Sequence, residues 1–344
     1  MHMADALLSP TVGATMWAGS VAAIGYSSKK LKENLDNKTI PLMGIMGAFI
    51  FAAQMINFTI PGTGSSGHIG GGMILAVLLG PYAAFLAIAS VLVVQALFFA
   101  DGGLLALGCN IWNLGIYPCF VAYPLIYKPI AGDATNTKRI FIAAIVSVII
   151  ALQLGAFSVV LETLLSGKSE LPFGTFVLLM QPIHLAIGLV EGIITGGIIL
   201  YVKQVRPEIL EANVAARPLD AGLSIRNVLV AFVILAVVTG GALSWFASTY
   251  PDGLEWSIEK VTGKSELEEQ KNSIALILKD IQEKTAFLPD YGFRPAATEQ
   301  KTDESSPVWP AIEPGTSVAG VVGSVIVLML IVFIGFGIRL LKRR

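Results

Sequence analysis

The sequence predicts an all-α membrane protein: a polytopic helical bundle of a seven-helix body plus two C-terminal transmembrane helices flanking an external loop. Three observations carry this. First, of 344 residues, 54% are hydrophobic and 14% charged, against roughly a quarter charged in soluble domains, and mean hydropathy is +0.73. Second, the deficit is uneven, since residues 249–315 hold 20 of the 47 charged residues. Third, nine apolar stretches recur, several close to the roughly 20 residues that a hydrocarbon core of about 30 Å demands. A soluble globular enzyme and a disordered chain are thereby excluded. With a net charge of −1 and basic residues in small groups, a nucleic-acid partner is not expected.

The stretches run approximately over Pro10–Ser28, Ile40–Phe58, Ile69–Gly80 (short), Tyr82–Ala100, Leu104–Tyr127, Ile140–Glu162, Gly174–Val202, Asn227–Ala247 and Ser317–Ile338. Pro81, after Gly80, either separates the third from the fourth or kinks one long helix, because proline ends or kinks a helix. With the N-terminus outside, the inner loops collect 15 Lys and Arg: Lys29, Lys30, Lys32, Lys38, Lys128, Lys138, Arg139, Lys203, Arg206, Arg217, Arg226, Arg339, Lys342, Arg343 and Arg344. The short outer connections hold Lys168 alone. This asymmetry predicts a multi-pass protein of the cell membrane, N-terminus outside and C-terminus cytoplasmic. No basic residue precedes Lys29, so the first helix is expected to be an uncleaved span and not a signal peptide. Met1 is expected to be retained ahead of a residue as large as His2.

A seven-helix body over 1–220 and a two-helix part over 221–344 divide the chain, with an external loop at about 248–316. That loop region carries 13 acidic and seven basic residues between 249 and 315. Within it Ser265–Lys284 has helical character, with Ile274, Leu278 and Ile281 on one stripe. Simple solvation would account for the loop, but the run Pro251–Ser257 (ProAspGlyLeuGluTrpSer) is too specific for linker composition.

Only three histidines occur, His2, His68 and His184. A free α-amine at Met1, the His2 backbone nitrogen and His2 Nδ1 can close adjacent five- and six-membered chelate rings in one plane. His68, within the glycine-rich run Pro61–Gly72, would fill the empty fourth corner. Four nitrogens in a square suit Ni(II) or Cu(II), whereas zinc prefers a tetrahedron. The glycines at 62, 64, 67 and 70–72 would bring backbone close to the metal. An initiator Met followed by His, and a lone loop His, equally arise without any metal. Asp5 would orient an imidazole or serve as a helix-start carboxylate. Cys109 and Cys119 fit no metal or redox spacing.

Four separated motifs resemble the CbiM/NikM family of substrate-capture (S) components of energy-coupling factor transporters for nickel or cobalt. They are Met1–Leu7, the His68 glycine loop, Gln95–Asn113 and Pro182–Gly192. The resemblance covers about residues 1–205. The remainder resembles a NikN/CbiN-type accessory subunit fused in frame. The resemblance implies that the Met1 amine, His2 and His68 hold the transported Ni2+, with Co2+ as the alternative cargo. It also implies a transmembrane T component (CbiQ/NikQ-like) and a cytoplasmic ATPase pair (CbiO/NikO-like) as partners within the lipid membrane. Met3-Ala4-Asp5-Ala6 departs from the family's usual opening, which leaves nickel against cobalt open.

Polar groups within spans are costly and tend to be functional or mutually satisfied. Gln95, Asn110, Asn113, His184 and Glu191 are expected to support the site or the bundle, as is Asp5. Gln153 and Gln181 are expected to bridge helices. Small-residue ladders at Ala14, Ala18, Ala22 and at Gly188, Gly192, Gly196 suggest internal packing first, or docking on the T component. Gly167-Lys168-Ser169 and Gly263-Lys264-Ser265 lack the first glycine of a Walker A loop, so no ATPase and no enzyme is expected. The contrasting readings are an intramembrane metalloenzyme centred on His184 and Glu191, and a structural scaffold without ligand.

Overall fold

All nine apolar stretches carry helix in the computed structural model, which describes residues 2–36, 38–220, 222–267, 273–294 and 309–342. Helix α1 (Pro10–Asn34) opens with Ser9 Oγ accepting the Val12 N–H and Pro10 at its first position, where a missing N–H costs nothing. Next come α2 (Thr39–Gln54), a two-stranded antiparallel hairpin of β1 (Phe58–Ile60) and β2 (Ser65–Gly67), α3 (Gly72–Leu79) and α4 (Pro81–Phe98). Helix α5 is one continuous rod over Leu107–Ile111, Trp112–Tyr127 and Lys128–Ala131. Then follow α6 (Thr137–Leu165), α7 (Phe173–Val205), α8 (Pro207–Val214), α9 (Arg226–Gly241), α10 (Gly253–Thr262), α11 (Ser273–Thr285) and α12 (Pro314–Lys342). Among the described residues α4, α6, α7 and α12 are long and apolar enough to cross a membrane, and α2 and α9 are shorter apolar helices.

The third stretch is not the simple span its composition suggests. Eight residues of α3 rise only about 12 Å. The chain before them, residues 65–71, is buried and non-helical. Buried non-helical backbone is tolerated only where protein satisfies its polar groups, and here it does. Gln54 Nε2 donates to Gly70 O at 2.8 Å, and Glu191 Oε1 accepts the Gly71 N–H at 2.9 Å. Gln95 Nε2 in turn donates to Gln54 Oε1 at 2.8 Å. The costly polar side chains are thus partners for the strand that carries His68.

In the fifth stretch the helix begins at Leu107 and not Leu104, and Trp112–Tyr127 is wound in wide π turns containing Pro118 and Pro124. Neither proline can supply an N–H to the helix ladder.

The last two spans, α9 and α12, pack on α2. A Cβ on Gly47 would lie 2.3 Å from Ile331 Cδ1, and one on Gly323 would lie 2.1 Å from the Phe51 ring. Ser324 Oγ donates to Ala48 O. Gly240 and Gly320 let α9 and α12 meet backbone to backbone. Gly188, Gly192 and Gly196 likewise receive Ile149, Ile145 and Phe141 of α6, the internal packing expected of that ladder. Gln153 and Gln181 exchange hydrogen bonds between α6 and α7. The ladder on α1 differs: Ala14, Ala18 and Ala22 are exposed, so they pack against nothing within the described chain.

The external helix expected over Ser265–Lys284 is described as α11, while residues 268–272 lie outside the described set. Its Ile274 and Ile281 are exposed. The side turned to the protein is that of Ala275, Leu278 and Gln282, because Gln282 Nε2 donates to Ala96 O and Gly102 O.

Candidate metal-capture site

Before α1 the chain is pegged into the bundle. Met3 is fully buried. Its N–H donates to Asn110 Oδ1 at 2.8 Å, and its carbonyl accepts from Gly103 N at 2.9 Å and Asn110 Nδ2 at 3.3 Å. Asp5 Oδ1 accepts the Ala106 N–H at 2.9 Å at the start of α5. Asp5 therefore completes the N-terminus of a different helix from the one it precedes. Gly102 has φ +78°, and a Cβ on Gly103 would fall 1.8 Å from Asp5 Oδ1, so the Gly-Gly pair is what lets the two segments lie together. Asn113 Nδ2 reaches Met3 Sδ at 3.9 Å and Glu162 Oε2 at 2.9 Å.

This peg brings the His2 imidazole against that of His68. The ring centroids are 5.0 Å apart and the planes differ by 7°. His68 Nδ1 lies 3.1 Å from its neighbour's carbonyl, Ile69 O, a contact that assigns the proton to Nδ1 and the lone pair to Nε2. His2 Nε2 is buried with no hydrogen-bond partner among the described residues. Burial, the largest cause, pushes each imidazole down to about 3, so both are neutral near pH 7, the state in which histidine binds metal. Met1 lies outside the described residues.

His2 Nδ1, the nitrogen a terminal chelate would use, lies 3.2 Å from Asp101 Oδ1, and Nε2 is the ring nitrogen without a hydrogen-bond partner among the described residues. Chelation through Nδ1 would require the ring to leave Asp101. Gly62 and Gly64 have positive φ in the hairpin turn, while Gly67 and Gly71 make room for Ile187 and Ile50.

The pair opens on a cavity of about 430 Å³, lined among others by His2, Asp5, Gln54, His68, Asp101, Asp252, Glu255, Gln282 and Tyr291. Four of these come from beyond residue 250, and their part in the site was not read from the sequence. Pro251–Ser257 did carry a signal, and its role is structural as well as acidic. Asp252 and Glu255 form a reciprocal capping box at the start of α10. Ser66 N donates to Pro251 O at 2.8 Å, Ser66 Oγ donates to Tyr250 O at 2.8 Å, and Trp256 Nε1 donates to Thr63 O at 3.0 Å. The segment 250–256 thereby pins the hairpin that presents His68, which simple solvation would not do. Burial opposes ionisation of Asp252, but nearby positive charge and the Glu255 N–H hold its carboxyl below the usual range. Burial and the Asp252 charge push Glu255 up to about 7.

His184 and Glu191, two turns apart on α7, stand outside that cavity. His184 Nδ1 is 2.8 Å from Met180 O, and its Nε2 has no partner among the described residues. It lines a small crevice with His68 and Asp252. Cys109 and Cys119 are buried and unbridged.

Comparison with known proteins matches two family models along the chain. "Cobalt uptake substrate-specific transmembrane region" (CbiM) matches residues 2–209, and "PDGLE domain" matches residues 226–340. A putative fused nickel transport protein NikMN of Archaeoglobus fulgidus is 34% identical over 96% of both chains. The fused nickel transport protein NikMN of Rhodobacter capsulatus is 32% identical, over 61% of this chain and 64% of that one. The cobalt transport protein CbiM of Sorangium cellulosum is 28% identical over 61% and 95%. A crystal structure titled as a truncated transition metal transporter superposes with a TM-score of 0.52 at 34% identity, covering 60% of this chain and 99% of that one. Helical membrane architecture, matched regions and relatives agree: the chain belongs to the CbiM family of nickel and cobalt transport proteins and carries a PDGLE domain after the CbiM region.

Proposed function

We propose that this chain is the substrate-capture subunit of an energy-coupling factor importer, and that its cargo is Ni2+. The observation that carries the reading is the approach of His2 to His68, two buried neutral imidazoles on one polar cavity. Among the described residues no three His, Cys, Asp or Glu side chains gather as a metal cage. Main-chain nitrogen at the chain start, the Met1 amine and the His2 amide, is then the donor set that completes a square plane. Cobalt is the second reading, favoured by the family description and by the cobalt-transport relative. The metalloenzyme reading loses force because Glu191 is engaged in holding the Gly71 backbone.

The proposed orientation puts this site outside. In support, Lys342 Nζ donates to Glu33 O and Leu35 O, and Lys38 Nζ donates to Asp220 O. Lys342 of α12 and Lys38 of the loop after α1 thus lie at the end of α1 opposite His2, as the positive-inside rule requires. A T component and paired ATPases would supply energy, and the exposed Ala14, Ala18 and Ala22 face is the proposed docking surface for the T component. The 1–220 and 221–344 parts act together, the second bracing the His68 hairpin and adding acidic groups that raise local cation concentration.

Inserting one residue between Met1 and His2 tests the chelate. Wild type should give the yellowish band of diamagnetic square-planar Ni(II), and the insertion should abolish it. A band that survives contradicts the terminal chelate.

A further inference from the structure

Asp101 spends both carboxylate oxygens at once. Oδ1 lies 3.2 Å from His2 Nδ1, and Oδ2 accepts the Tyr291 hydroxyl at 2.5 Å. Tyr291 belongs to the PDGLE-matched region, Asp101 and His2 to the CbiM-matched region. The Tyr291 ring is fixed on three sides. It stacks on Phe99 (5.1 Å, 19°), meets Phe51 edge-on (6.1 Å, 63°), and follows Asp290, whose N–H donates to Phe99 O at 2.8 Å. Asp290 and Tyr291 both take left-handed backbone, φ +50° and +59°. Two consecutive non-glycine residues in that region persist only where their surroundings over-determine them, and such strain concentrates at switching sites.

The nitrogen that Asp101 occupies is the one the proposed chelate needs. An imidazole Nδ1 held 3.2 Å from a carboxylate oxygen leaves no place on that nitrogen for a metal. Nε2, on the far side of the ring, cannot close a six-membered ring with its own main-chain nitrogen. We propose that Asp101, positioned by Tyr291, is a latch on His2: it holds the imidazole away from the chelate, so that capture of the dication and latching exclude each other. This rests on the terminal-chelate reading. Its use to a transporter is release, since Asp101 offers His2 a partner to return to as the cargo leaves. The external C-terminal segment would set the strength of that competition through one hydroxyl.

The test uses the full-length protein and Ni2+ alone, reading affinity and the rate of loss to an excess chelator. Asp101→Ala should bind Ni2+ about tenfold tighter and release it correspondingly more slowly, because the close carboxylate on the competing nitrogen is gone. Tyr291→Phe keeps the ring packing and should move both readouts in the same direction by about threefold. A gain of affinity is not what damaged folding produces. Unchanged or weaker binding in both variants overturns the latch; weaker binding would place Asp101 as a support for coordination through Nε2. If the insertion between Met1 and His2 also leaves binding intact, the chelate reading itself has failed.

Discussion

His68→Ala should cost more than about a hundredfold in Ni2+ affinity, beyond the 10–100-fold seen for residues that only support a metal ligand. Its effect on stability should be modest. His68 is 8% exposed, but its side chain is not what holds its own backbone. The hairpin pairs Phe58 with Gly67 and Ile60 with Ser65, Ser66 is fixed to Pro251, and Gly70 and Gly71 are held by Gln54 and Glu191. Truncation therefore removes one imidazole and leaves a small cavity beside an existing larger one, a loss of about 2 kcal/mol. Nickel titration beside thermal unfolding in detergent separates the two readouts. Retained binding would remove His68 from the ligand set.

Asn110→Leu should lower affinity and stability together, and the contrast with His68 is the point of the comparison. Asn110 is 1% exposed and reads the Met3 backbone from both sides, accepting its N–H and donating to its carbonyl. Leucine fills a similar volume but leaves the buried Met3 N–H without its acceptor, a cost of about 1–3 kcal/mol. The Met3 carbonyl keeps Gly103, so the segment loosens without leaving. Because His2 immediately precedes Met3, that cost passes into binding, and affinity should fall at least about tenfold. The same pair of measurements checks it. A stability loss with unchanged affinity would mean that seating of the N-terminal segment does not position the cargo site.

What the sequence made legible follows from how local the physics is. Nine apolar runs became nine helical segments because desolvation of backbone leaves helix as the default. The approach of His2 and His68 could be reasoned out because chelation rules act on the first two residues alone, with one distant imidazole required. Two other features were not legible. Residues 65–71 run as buried non-helical chain because Gln54 and Glu191 stand ready for Gly70 and Gly71, a pairing across 16 and 120 positions that no periodicity records. The contribution of Asp252, Gln282 and Tyr291 was hidden for a similar reason. Their charged and polar neighbourhood has the composition of a solvated loop, and only the unusual run Pro251–Ser257 hinted at packing. The α1 alanine ladder shows the opposite error: spacing marks a close-packing face, but only the fold tells that nothing in the described chain occupies it.

X-ray absorption at the nickel edge of the metal-loaded, full-length protein tests the central claim most directly. Four nitrogen donors in a plane, with imidazole scattering from two rings and no sulfur, is the expected result. A six-coordinate oxygen-rich shell, or sulfur from a methionine, would contradict capture by the chain start together with His2 and His68.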